Sequence, residues 1–171
     1  MDDQWSRSAA DAVPFVHPGV LLTLPMLLTL RSDVAHRTNP VYSAYLSTLS
    51  TVTQPYGGLP AVRFASLDYK PHPQQLQSNG SGITGFREDA FAAYTHALLW
   101  FIEQDERHAK KAIECMDAWP GAWTAPIDLA NGLQISWAGA VWPRAAEIIK
   151  HTYPPGWVGA EAFGRMLTDL L

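Results

Sequence analysis

Hydrophobic residues recur every three or four positions through the middle of the chain. Two such stripes follow one another, formed by Ala90, Phe91, Tyr94, Ala97, Leu98 and Phe101 and then by Ala109, Ala112, Ile113 and Met116. This spacing is the repeat of one face of an α-helix. Because only Gln104 and Asp105 separate the stripes, the pattern predicts two antiparallel helices joined as an αα-hairpin, with Asp105 capping the second.

The later part of the chain carries two more amphipathic stretches. The first holds Trp137, Ala140, Val141, Ala145 and Ile148 at helical spacing, and the second holds Phe163, Met166, Leu167 and Leu170. We predict a helix over Leu133 to Thr152, in which Pro143 either kinks the helix or marks its true start near Trp142. A further helix is predicted within Gly159 to Leu171.

The first fifty residues predict a polar start followed by two short helices. We expect residues 1–14 to be flexible and the first helix to run from about Pro25 to Arg37. Asn39 and Pro40 are favourable at the N-cap and the next position, so a second helix is predicted from Val41 to Ser50.

The stretch from Thr51 to Gly85 is broken by prolines and glycines and predicts a long loop. It contains Tyr69, Lys70 and His72, and loops of this length are usually functional or disordered, so a binding role and a solvated linker both stay open. A second loop is predicted from Trp123 to Gly132. With no strand pattern, the chain predicts an all-α domain of antiparallel helical hairpins over residues 15–171.

Composition excludes some classes of protein. Hydrophobic residues make up 47% of the chain and charged residues 16%, which argues against disorder. The net charge of −4, with no concentrated basic segment, argues against a nucleic-acid partner. The apolar run from Gly19 to Leu30 contains a proline and lacks a basic start, so it fits a folded helix and neither a signal peptide nor a membrane span.

The reactive residue types are few. The six histidines are scattered without a metal-binding motif, so no metal or other cofactor is predicted. We expect His96 to be structural or half exposed, and His108 to be a surface residue because its neighbours are charged. Cys115 is the only cysteine and is predicted to be a buried, inert thiol.

The strongest candidate cluster for binding is formed by Asn131, Gln134, Trp137 and Arg144. Gln134 and Trp137 are three residues apart and share a helix face. Such a face offers an amide to hydroxyl groups and an indole to a sugar ring, although Trp137 packed inward is the competing interpretation.

An ordered set of motifs resembles the alginate lyase family, whose catalytic domain is an incomplete α/α toroid of helical hairpins. The resemblance covers most of the chain and rests on HPG with leucines at 17–22, the Arg and Pro-x-x-x-Ala-Tyr segment at 37–45, the DAxAAYxxALLW hairpin, the KAIE…AW helix, the WxRAAEIIKHTY stretch and the terminal FxxML.

The resemblance implies β-elimination on a uronate polymer such as alginate. In that reaction a base removes the C5 proton, an Asn/His/Arg group neutralises the adjacent carboxylate, and a Tyr donates a proton to the leaving sugar. By this analogy Gln134, Trp137, Asn131 and Arg144 bind substrate at the sugar cleft, while Tyr69 and Lys70 belong to a lid loop.

No catalytic residue is assigned, because the family's Asn/His motif is expected after the FxxML helix and the sequence ends at Leu171. We therefore expect an N-terminal portion of such an enzyme, with possible self-association through an unpaired helix face. The family implies a secreted or periplasmic protein, although no signal peptide is evident. The alternatives are a non-catalytic carbohydrate-binding helical module and a helical interaction scaffold.

Overall fold

The computed structural model describes residues 15–50, 62–77, 80–122 and 129–169. These ranges contain eight α-helices and no strand: α1 (Leu24–Ala35), α2 (Val41–Thr48), α3 (Val62–Ala65), α4 (Ile83–Glu103), α5 (Glu106–Asp117), α6 (Leu129–Gly139), α7 (Trp142–Thr152) and α8 (Ala160–Asp169). The predicted all-α class is confirmed. None of these helices is both long and apolar enough to cross a membrane.

The predicted hairpin is formed by α4 and α5. Gln104 takes the left-handed conformation at φ 59°, and its N–H donates to the carbonyl of Trp100 at 2.8 Å, which closes α4. Asp105 then caps α5, because its carboxylate accepts from the backbone N–H of Arg107 at 2.9 Å. Two residues therefore end one helix, turn the chain and begin the next, as the sequence predicts.

Helix α4 lies at the centre of the fold and packs against α1, α3, α5, α6 and α7. Its small residues Ala90, Ala93 and Ala97 are fully buried, which lets neighbouring helices approach closely. The core continues into an aromatic group in which Phe86 of α4 lies 5.0 Å from Trp119 and 5.7 Å from Trp142, measured between ring centroids. Trp119 and Trp142 are fully buried, so core packing explains both indoles.

Several predicted boundaries shift in the structure. Helices α6 and α7 are separated at Ala140 and Val141, so Pro143 lies in the first turn of α7 and does not kink a continuous helix. The N-cap of α2 is Pro40, and the side chain of Asn39 accepts instead from the hydroxyl of Ser43. The predicted cap at Asn39 is therefore wrong.

The two predicted loops are shorter than expected. Helix α4 begins at Ile83, inside the predicted first loop, and α6 begins at Leu129, inside the second. Residues 1–14, 51–61, 78–79, 123–128 and 170–171 lie outside the described ranges, and so does the prediction of a flexible N-terminus.

Candidate functional site

Gln134 and Trp137 lie on α6 as predicted. The amide oxygen of Gln134 accepts a hydrogen bond from the Arg87 guanidinium of α4 at 3.1 Å. Trp137 is 54% exposed, so its ring contributes surface as well as packing. The structure therefore joins an amide, a guanidinium and an accessible indole across two adjacent helices.

The exposed side of α4 continues this surface. Arg87 and Phe91 are four residues apart and share a helix face, and Phe91 is 43% exposed. On the α3 side, Phe64 lies 6.1 Å from Phe91 between ring centroids, and Arg63 is paired with Glu88. We use the name α4–α6 face for Arg87, Phe91, Gln134 and Trp137.

Arg144 lies in the first turn of α7 and contacts Tyr94 of α4. Burial raises the pKa of Tyr94, and the nearby Arg144 guanidinium opposes this shift. The Nε of Arg144 is buried and has no hydrogen-bond acceptor within the described part of the chain. Arg144 is thus half buried against α4, next to Tyr94.

The other predicted binding residues are placed differently. Asn131 lies in α6, one turn before Gln134, but its side chain is outside the described residues. Lys70 is exposed. Tyr69 is only 7% exposed, and its hydroxyl donates to Asp89 at 2.7 Å, so the side chain belongs to the core and not to the surface of a lid. Substrate binding by the predicted residues stays a prediction.

Asp89 organises the segment that contains Tyr69. This carboxylate is fully buried and accepts from the Tyr69 hydroxyl, from the Trp119 indole at 2.8 Å and from the backbone N–H of His72 at 2.7 Å. Burial and the neighbouring Asp89 raise the pKa of Tyr69. Lys111 adds a further anchor by donating to the carbonyl of Tyr69 at 2.9 Å. The segment around Tyr69 is therefore fixed to α4 and α5.

A second buried polar group joins His96 of α4 to His108 of α5, whose Nδ1 atoms are 2.7 Å apart. His96 is fully buried and His108 is 8% exposed, so the prediction of a surface His108 is wrong. Because His96 Nε2 lies 3.2 Å from the carbonyl of Ser66, that nitrogen must carry the proton. His96 Nδ1 then accepts, and His108 Nδ1 donates to it.

His17, Glu147 and His151 form a third polar cluster, on the surface. The Nδ1 of His17 lies 2.7 Å from a carboxylate oxygen of Glu147, and His151 Nε2 lies 3.7 Å from the other oxygen. The two imidazole rings stack at 4.2 Å between centroids. Sequence analysis missed this group because His17 and Glu147 are 130 residues apart, and it missed Arg87 because nothing nearby predicted its partner on α6.

A cavity of about 380 Å³ lies where α1, α2 and α4 meet. Its lining is mostly aliphatic, and its polar groups are the hydroxyls of Tyr45, Thr48, Tyr94 and Thr95. The Tyr45 hydroxyl donates to Glu103 at 3.0 Å, and burial together with this carboxylate raises the pKa of Tyr45 to about 12. So apolar a cavity suits neither hydroxyl-rich sugars nor carboxylates, which leaves the α4–α6 face as the better candidate for a polar ligand.

Comparison of the chain with protein-family models, with curated proteins and with solved structures finds no match in any of the three.

Proposed function

We propose that this protein is polysaccharide lyase-like and binds a uronate polymer along the α4–α6 face. The observation that carries the proposal is the pairing of Arg87 with Gln134 on the same helix face as the exposed Trp137. The order of motifs that resembles the alginate lyases supports the same class of ligand.

The chemistry of the face suits an acidic sugar. An exposed indole offers an apolar plane to the C–H face of a pyranose ring, while its edge stays in water. Arg87 donates to a neutral amide and has no carboxylate partner in the described part of the chain, whereas Arg63 is already paired with Glu88. A guanidinium can bind a carboxylate through two parallel hydrogen bonds, which would fix one uronate residue on the face.

Binding of this kind would also contribute to β-elimination. Removal of the C5 proton places negative charge next to the sugar carboxylate, and a cation fixed at that carboxylate stabilises the developing charge. Arg87 on the α4–α6 face could supply this cation. The residues that act as base and as proton donor are not assigned. The proposal also includes that these helices are part of an incomplete α/α toroid.

Calorimetric titration with alginate and glucuronan oligomers tests the binding. We expect Trp137→Ala and Arg87→Gln each to weaken binding about tenfold or more, which corresponds to ~1.4 kcal/mol. Arg165→Gln is the matched control, because Arg165 is an exposed arginine on α8 that is paired with Glu161. A neutral glucan oligomer of the same length should not bind, since it lacks the carboxylates.

An assay for cleavage separates the competing functions. Elimination creates a C4–C5 double bond conjugated with the carboxylate, whose ultraviolet absorbance rises as the polymer is cut. A lyase is supported if the absorbance rises with the wild type and rises more slowly with Arg87→Gln. Binding without cleavage supports a carbohydrate-binding module and excludes lyase activity. If no uronate oligomer binds, the proposal is overturned and the helical scaffold remains.

A further inference from the structure

Three potential metal ligands meet where the N-terminal segment touches α7. Glu147 and His151 are four residues apart and therefore lie on the same side of α7. His17 comes from the chain before α1, and its imidazole stacks on that of His151 with an interplanar angle of 11°. One ligand atom from each residue lies within 4.8 Å of the other two.

We propose that His17, Glu147 and His151 form a binding site for a divalent transition metal ion, with Zn²⁺ as the best fit. Imidazole nitrogens and a carboxylate oxygen are established zinc ligands, at about 2.0–2.2 Å from the metal. In a tetrahedral site those bond lengths place neighbouring ligand atoms roughly 3.4 Å apart. One oxygen of the Glu147 carboxylate lies 2.7 Å from His17 and the other lies 3.7 Å from His151, so both imidazoles are close to this spacing from the carboxylate.

Other ions fit this ligand set less well. Ca²⁺ and Mg²⁺ prefer six or more oxygen ligands, and this site offers two nitrogens and one carboxylate. Cu⁺ prefers sulfur, and Cys115 is fully buried in the core. Zn²⁺ accepts mixed nitrogen and oxygen ligands without a strong geometric preference, so it tolerates the asymmetric spacing here.

A contact outside the three ligands would hold the carboxylate in place. The backbone N–H of Gly19 donates to Glu147 at 2.9 Å, to the oxygen that also lies closest to His17. Such outer hydrogen bonds orient a metal ligand and raise its affinity. A side chain at position 19 would press against the carbonyl of Val16 at 2.7 Å, so glycine suits the turn that brings this N–H to Glu147.

The site leaves room for a fourth ligand. The side chain of His17 is 43% exposed, while those of Glu147 and His151 are 19% and 26% exposed. Three protein ligands with access to solvent leave one tetrahedral position for water. A bound ion would also tie residues 15–19 to α7, because it bridges groups that are far apart in the chain.

Zinc titration of the full chain without a histidine tag tests the proposal. We expect one Zn²⁺ per chain by calorimetry, and a Co²⁺ complex whose intense visible absorption indicates tetrahedral coordination. His151→Ala and Glu147→Gln should each weaken Zn²⁺ binding about tenfold or more. Glutamine can still accept from Gly19, so Glu147→Gln separates metal binding from packing. His36→Ala is the control, since His36 is an exposed histidine that contacts Ser32 of α1.

Circular dichroism spectra of the variants establish that the helices are retained. Substoichiometric binding, or binding that His151→Ala and Glu147→Gln leave unchanged, would overturn the site. No sugar enters this experiment, so its outcome is independent of the α4–α6 face.

Discussion

Acidification should destabilise this protein through His96. Its Nε2–H donates to the carbonyl of Ser66 and its Nδ1 accepts from His108, so the ring has no free position for a second proton. Burial, together with the nearby His108 and Lys111, lowers the pKa of His96 to about 3, although the hydrogen bond to Ser66 opposes this shift. The perturbation is a change from pH 7 to pH 5, applied to the wild type and to His96→Gln.

The direction follows from proton uptake in the two states. An unfolded histidine takes up a proton near pH 6.5, whereas buried His96 stays neutral until about pH 3. The stability from this neutral histidine is fully present above pH 6.5 and is lost as the pH falls towards 3. The slope is about 1.4 kcal/mol per pH unit, so a fall from pH 6.5 to 5 removes about 2 kcal/mol from the free energy of unfolding.

Urea unfolding at pH 7, 6 and 5 measures the effect. Glutamine at position 96 can still donate to Ser66 and accept from His108, but it does not titrate. We therefore expect His96→Gln to lose about 2 kcal/mol less than the wild type over this interval. His36→Gln should follow the wild type, because His36 is exposed. Equal losses in the wild type and His96→Gln would refute the reasoning.

Three further predictions concern stability and reactivity. Asp89→Asn replaces a buried acceptor of three hydrogen bonds and should cost about 3 kcal/mol in urea unfolding; a loss below about 1 kcal/mol would contradict the anchoring role. Gly159→Ala places a methyl group onto the Asp117 carboxylate that accepts from the Trp157 indole, and should lower stability by about 1–3 kcal/mol, whereas Gly164→Ala, in open space on α8, should raise it by about 0.5–1 kcal/mol. Cys115 is fully buried and its pKa is raised by burial, so iodoacetamide should modify the thiol only after unfolding, as mass spectrometry would show.

The fold was most predictable where the information is local. The spacing of apolar residues in α4 and α5, and the two residues between them, suffice to predict the hairpin. The burial of Cys115 follows from the same stripe and is confirmed. Local patterns could not predict the burial of His108, because it depends on packing against α4, where the Nδ1 of His108 meets that of His96.

The residues of the candidate sites were also predictable only where the information is local. Gln134 and Trp137 could be placed on one helix face from their spacing alone, and the structure adds Arg87 as their neighbour. The prolines and glycines around Tyr69 predict a surface loop. The side chain of Tyr69 is instead buried, and its hydroxyl donates to Asp89. Sequence patterns do not identify this charged residue as buried.

The central position of α4 has a consequence for the order of folding. Its contacts with α5 close a turn of only two residues, whereas residues 36–82 separate it from α1, so its contacts with α1 require a larger loss of chain entropy. The α4–α5 hairpin should therefore form first and serve as the template on which α1, α6 and α7 assemble. Amide hydrogens in the middle of α4 should consequently exchange with deuterium most slowly, and those of α1 and α2 much sooner.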